Sequence, residues 1–185
     1  RGFSFGGKAA PSVLNGADVL RQRKGILPKG AKVGLITNHT GHDRHRRSTL
    51  DFLRASSEVE LTALFSPEHG LYGKLDEKIS DGTDAKSGLK IYSLYGKNRK
   101  PTPDQLDGLD ALIFDIQDIG CRFYTYISTM GLAMEAASAA GVKFIVLDRV
   151  NPISTTVAGP VRLGPSQFIA YHNIPVQHGM TAGEL

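Results

Sequence analysis

One cysteine, Cys121, is all the thiol this 185-residue chain carries, so no disulfide can form within it. Its place beside a predicted strand end reads as an inert thiol in the core rather than a nucleophile. Long apolar runs are missing too. No stretch approaches the roughly 20 residues needed to cross a bilayer, which excludes a transmembrane helix. The opening Arg1-Gly2-Phe3-Ser4-Phe5-Gly6-Gly7 has no apolar signal-peptide region, so any targeting segment lies outside this sequence. The phosphate-cradling patterns GxGxxG and GxxxxGK[ST] are absent, which disfavours nucleotide binding. A GxSxG elbow is absent as well, and Pro67 between Ser66 and His69 argues against an improvised one. Nor is there an excess of one charge. Lys and Arg number 22 against 18 Asp and Glu, and the basic residues form no stripe. The densest run, His42-Asp43-Arg44-His45-Arg46-Arg47, reads as a solvated helix start, and no nucleic-acid partner is expected.

What the chain does have is a repeated junction. Five short apolar runs each end in polar, charged or glycine residues. Lys32–Ile36 leads to Thr37-Asn38-His39-Thr40-Gly41, and Leu61–Phe65 to Ser66-Pro67-Glu68-His69-Gly70. Leu89–Tyr92 leads to Ser93-Leu94-Tyr95-Gly96, Ala111–Phe114 to Asp115-Ile116-Gln117-Asp118-Ile119-Gly120, and Phe144–Leu147 to Asp148-Arg149. β-rich runs alternating with helix-like stretches imply a parallel sheet buried on both faces. The expected helices are Asn15–Lys24, Ser48–Arg54 with Ser48 as cap, a short one at Pro103–Leu106, and Thr125–Ala140. In the last, Ile127, Met130, Met134 and Ala137 form the inward stripe and Gly141 the stop. Right-handed crossovers then give one α/β domain over residues 1–185, a three-layer sandwich with a mostly parallel sheet.

Two stretches resist the pattern. Leu71–Lys86, with Asp76, Glu77, Asp81 and Asp84, reads as a long functional or mobile loop, and Val150–Pro175 as irregular chain wrapping the sheet edge. Thr181-Ala182-Gly183-Glu184 fits a capping box that announces a further helix, from which a longer protein is expected.

Open α/β sheets bind ligands beyond the carboxyl ends of their strands, so the polar clusters are expected on one rim. Glu68 is the carboxylate to single out. Partial burial after an apolar strand raises a carboxyl pKa, as a general acid requires, although loop amides are an equal competitor for it. Asp115 and Asp118 are the candidate second carboxylates, one of them expected to brace its turn. Asp148 is read as positioning Arg149 or capping the turn after it. Arg122 and Arg149 carry fixed charge suited to holding a carboxylate in a fork. Tyr124 and Tyr126 offer a stacking wall, but residues i and i+2 of a helix cannot share a face, so one belongs to the core. His39, His42 and His45 recur every third residue, yet they lack the carboxylate or cysteine partners of a metal site. A metal-dependent hydrolase using His39 and His69 is the weaker alternative, a non-catalytic sugar-binding module the stronger one.

Taken together, the segments Gly34–Gly41, Phe65–Gly70, Tyr92–Gly96, Arg99–Pro103, Phe114–Gly120, Arg122–Tyr126, Leu147–Pro152, Gly159-Pro160 and His178–Glu184 resemble the NamZ-type exo-β-N-acetylmuramidases. The resemblance covers about Asn15 to Leu185. It implies a Rossmann-like N-terminal domain without nucleotide, a smaller C-terminal domain beyond this chain, and an active site in the cleft between them. It also implies release of N-acetylmuramic acid from the non-reducing ends of peptidoglycan fragments, outside the cytoplasm. No cofactor and no metal are expected. On this basis Glu68 protonates the leaving oxygen, while Asp115 or Asp118 acts as base or steadies the oxocarbenium-like charge. Asn38, His39, His69, Tyr124, Asn151 and His178 line the sugar site, and Arg149 or Arg122 holds the lactyl carboxylate. Carboxyl pairs stand about 5–5.5 Å apart in retaining glycosidases and about 6.5–9.5 Å in inverting ones, and the acetamido group can itself be the nucleophile.

Overall fold

The computed structural model describes residues 13–73 and 81–185. Each of the five apolar runs is a strand: β1 Ala31–Thr37, β2 Val59–Ser66, β4 Lys90–Ser93, β5 Ala111–Asp115 and β6 Lys143–Val146. A sixth, β3, is only Gly82–Thr83, too short to leave a sequence signal. The sheet runs β3-β4-β2-β1-β5-β6, parallel throughout except for β3, which lies antiparallel on the β4 edge. Chain order therefore reverses between β1 and β5, the place where α/β sheets open a crevice.

Four helices cover the two faces: α1 Gly16–Gln22, α2 Thr49–Arg54, α3 Pro103–Leu106 and α4 Tyr126–Ala139. Three of them start at side-chain caps legible in the sequence. Asn15 and Asp18 form a capping box, Thr102 and Gln105 another, and the Ser48 hydroxyl accepts from Asp51 N–H. The sheet alternation sends Val33, Leu35, Leu61, Leu64 and Ile113 to one face, against Ala17 of α1 and Leu53 of α2. Ile36, Phe65, Leu112 and Phe114 go to the other, against Leu106 of α3 and Met130, Ala133 and Ala137 of α4. The inward stripe of α4 differs from expectation at one position. Met134 is 43% exposed, and Ala133, fully buried, takes its place because a small residue lets the helix lie close to the sheet.

After β6 the chain makes no further helix or strand. Its irregular arm is held by side chains instead. Arg122 Nη1 donates to the carbonyls of Pro160 and Ile174 at 3.0 and 2.6 Å, and Asn151 Nδ2 donates to Met180 O at 2.9 Å. The Thr181–Glu184 box is formed, Thr181 N–H donating to Glu184 Oε2 at 2.8 Å. Asp148 joins it, accepting from Thr181 Oγ1 and Gly183 N–H as well as from Arg149 N–H. In the Leu71–Lys86 stretch, Asp81 accepts from Ser93 N–H, and buried Asp84 accepts from the Tyr72 phenol and from Ser87. These two acids are thus turn supports, while Asp76 and Glu77 fall outside the described residues.

The basic run leads into α2 with residues 44–47 exposed, as expected, but it has an internal anchor that its composition does not announce. It is a loop wound around Asp43, whose side chain is fully buried. Asp43 accepts from the His45 and Arg47 backbone N–H groups at 2.9 Å each and pairs with Arg47 Nε at 2.6 Å and Arg21 Nε at 2.9 Å. Burial alone would raise its pKa, but the bonds from Arg47 and His45 and the charge of Arg21 outweigh it and hold the carboxyl at about 2. The folded value lies below the ordinary 3.8, so this group stabilises the fold above that pH. Its contribution is lost as pH falls through about 2. Asp43→Asn should therefore melt below the parent at neutral pH, the gap closing as pH drops from about 4 to about 2. Melting curves recorded across that range check it, and a pH-independent gap would contradict it.

Candidate active site

The polar ends of β1, β2, β4 and β5 meet along one rim with the start of α4. Glu68 follows β2 in the turn Pro67–Gly70, closed by Gly70 N–H to Pro67 O at 3.1 Å. His69, the next residue, has φ +66°, a left-handed backbone that only glycine adopts freely. Such local strain next to a charged side chain is found preferentially at functional sites. Glu68 itself is half-buried. The Thr125 hydroxyl donates to its Oε2 at 2.7 Å. Thr125 is the cap residue of α4, yet its side chain makes no capping bond, being turned to Glu68 instead. The Tyr95 phenol, just past β4, lies against the same carboxylate. Hydrogen bonding to Glu68 and its charge, with a little burial, raise the Tyr95 pKa, and the nearby charge of Arg99 opposes the rise. Both partners of Glu68 are hydroxyls, which donate to a carboxylate or accept from a carboxylic acid.

Asn38 lies beside this group at the end of β1. Its Oδ1 accepts from Thr40 N–H at 2.9 Å and Thr40 Oγ1 at 2.6 Å, which fixes the amide orientation because a backbone N–H can only donate. Thr40 Oγ1 in turn accepts from Gln117 N–H at 3.0 Å, tying the β1 loop to the β5 loop. Asn38 Nδ2 is left buried without an acceptor in good geometry. Tyr126 stands next to it, its pKa pushed up to about 12 chiefly by burial and by Tyr124. The Tyr124 and Tyr126 rings meet edge to face with centroids 4.8 Å apart. They touch because α4 begins at Tyr126, leaving Tyr124 outside the helix, so the helical i, i+2 argument does not apply. Tyr126 is core and Tyr124 half-buried.

The other expected site residues have internal partners. Asp115 is fully buried; its Oδ1 accepts from Arg149 Nε at 2.9 Å and Nη2 at 2.6 Å. Arg149 Nη2 also donates to His42 O at 2.8 Å, so the pair bridges the loops after β5, β6 and β1. Burial raises the Asp115 pKa, with Arg149 pulling it back. Asp118, 6% exposed, accepts from Gly120 N–H at 2.7 Å and lies 3.2 Å from His178 Nε2. Met180 N–H donates to His178 Nδ1, so the neutral ring carries its proton on Nε2 and gives it to Asp118. Gly120 is needed here: its φ is +84°, and a Cβ would stand 2.3 Å from Asn151 Oδ1. His39 is exposed, its ring lying over Gly73, and His69 is exposed. His42 Nδ1 meets Asp43 O at 2.9 Å. Among the described residues no three His, Cys, Asp or Glu side chains converge to hold a metal ion. Cys121 is half-buried rather than in the core.

The structure thus brings Glu68, Asn38, Tyr124 and Tyr126 together and turns Arg122, Arg149, Asn151 and His178 to the support of the loops. Sequence reasoning missed Thr125 and Tyr95 as partners of Glu68. Their signal was positional, each lying where an element meets the same rim. A twisted parallel sheet with helices on both faces, carrying a half-open glutamate among hydroxyls at its carboxyl rim, defines a Rossmann-like α/β domain with a polar rim.

Comparison with known proteins carries this further: the chain belongs to the family described as exo-beta-N-acetylmuramidase NamZ, N-terminal, whose model matches residues 33–185. It is 46% identical over 180 residues to the peptidoglycan beta-N-acetylmuramidase NamZ of Bacillus subtilis (strain 168), covering 95% of this chain and 43% of that protein. Two crystal structures of DUF1343 family proteins from Bacteroides fragilis NCTC 9343 share the fold. One is 48% identical with TM-score 0.85, covering 92% of this chain and 44% of that one. The other is 35% identical with TM-score 0.78, covering 94% and 45%. The chain therefore spans less than half the length of the relatives it matches.

Proposed function

We propose that this chain supplies the acid-bearing wall of an exo-acting glycosidase that releases N-acetylmuramic acid from the non-reducing ends of peptidoglycan fragments. The observation that carries the reading is Glu68, half-buried at the sheet rim and held by the Thr125 hydroxyl and the Tyr95 phenol. Hydroxyl neighbours keep a carboxyl in place while leaving it free to exchange a proton, as a general acid must. An arginine neighbour instead favours the charged form, as Arg149 does against the burial of Asp115. In this reading Glu68 protonates the departing glycosidic oxygen. Asn38, buried and turned toward the Tyr126 phenol, holds the wall of the site beside the acid. Asp115 acts as the positioning charge for Arg149, and Asp118 as the fixed partner of His178. The relatives' greater length supports a second domain closing the cleft from the far side. The proposed substrate class supports a location outside the cytoplasmic membrane.

The test uses the full-length protein that contains this chain. Incubated with an aryl β-N-acetylmuramide, it should release the aryl alcohol with N-acetylmuramic acid as the sole sugar product. Binding of the glycoside without release would reduce the site to a sugar-binding module.

A further inference from the structure

A sugar bearing a lactyl ether carries a carboxylate, so the reading above calls for a cation at the rim. The two arginines that sequence nominates are engaged elsewhere: Arg149 with Asp115 and His42 O, Arg122 with the carbonyls of Pro160 and Ile174. Arg99 is not. Its guanidinium carbon sits 4.4 Å from the centroid of the Phe168 ring, while its N–H groups hydrogen-bond to no other described residue. Arg99 is exposed and follows the Tyr95-Gly96 turn, close enough to the Tyr95 phenol for its charge to act there. Tyr95 also hydrogen-bonds to Glu68, so one phenol lies within reach of both the acid and the arginine.

Stacking on an aromatic face leaves the N–H edge of a guanidinium outward, and that edge matches the two oxygens of a carboxylate. The flat fork is then pre-oriented, so less rotational freedom is lost when an anion docks. Phe168 comes from the irregular arm after β6 and Arg99 from the loop after β4. The arm, otherwise without evident purpose at this rim, thereby aims a charge.

We propose that Arg99, backed by Phe168, is the carboxylate-recognising residue of the cleft, taking the anionic substituent of the sugar whose glycosidic oxygen meets Glu68. The assignment rests on the glycosidase reading for its substrate, but its test does not need turnover. Binding of N-acetylmuramic acid and of N-acetylglucosamine, which lacks the lactyl group, is measured by calorimetry on the full-length protein and on Arg99→Gln, Arg99→Lys and Phe168→Leu. A charge-assisted hydrogen bond contributes about 1.5–3 kcal/mol, so Arg99→Gln should cut the preference for the carboxylated sugar about 10- to 150-fold. Arg99→Lys should restore part of it, and Phe168→Leu should fall between parent and Arg99→Gln. In turnover the same change should raise KM for muramides far more than it lowers kcat. Equal weakening for both sugars, an unaltered preference, or a parent protein that does not distinguish them would overturn the assignment. A protein that prefers the carboxylated sugar through Arg99 yet never cleaves a muramide would keep this inference and sink the glycosidase reading alone.

Discussion

Glu68→Gln in the full-length protein is expected to lower kcat on a natural muramyl disaccharide by about 10²- to 10⁴-fold, the range that one positioned acid contributes. Glutamine keeps the shape and can still accept from the Thr125 hydroxyl, so the melting temperature should stay close to that of the parent. The size of the loss should depend on the leaving group. A sugar alkoxide must be protonated as it departs, whereas an aryl oxide leaves readily without a proton. The variant should therefore lose much less activity on an aryl β-N-acetylmuramide than on the disaccharide. A loss of the same size on both would assign Glu68 a different role, such as nucleophile or base, and near-parental turnover on the disaccharide would remove it from the chemistry.

The second large effect is on stability. Arg149 and Asp115 are 6% and 0% exposed at the side chain, with Nη2 to Oδ1 at 2.6 Å. Removing one partner leaves an unbalanced charge in the interior, which costs about 3–5 kcal/mol. For a domain of this size each kcal/mol shifts melting by roughly 2–4 °C. Arg149→Met should therefore melt about 6–20 °C lower. The double variant Arg149→Met/Asp115→Leu should recover much of that, because an apolar pair of similar volume needs no compensation. If the single variant melts with the parent, or the double variant is worse than either single one, the pair is not acting as a buried bridge.

Much of the fold was legible because its signals are local. A fully buried strand is a short apolar run whichever neighbour it pairs with, and the caps at Asn15, Ser48 and Thr102 depend on residues three positions away. The rim followed from the same logic, since each strand end is marked by its own sequence. What escaped was partnership. Arg149 is 34 residues from Asp115, Arg122 is 52 from Ile174, Thr125 is 57 from Glu68 and His178 is 60 from Asp118. Charged residues at a rim look alike in sequence, whether they face a ligand or each other. Burial decided the matter: Arg149 and Asp115 ended in the interior, where each needs the other, while Arg99 stayed outside on an aromatic support. Asp43 followed the same rule, with the backbone of His45 and Arg47 and the guanidiniums of Arg47 and Arg21 gathered on one interior anion.

The guanidinium that links the loops after β1, β5 and β6 has a consequence for what the scaffold can evolve toward. In nucleotide-dependent relatives of this architecture the gap between the two halves of the sheet is where a diphosphate nestles against a helix start. Here that berth is filled from within by a salt-bridged keystone. Grafting a dinucleotide into this protein would first require dismantling the wedge that fastens this part of the rim.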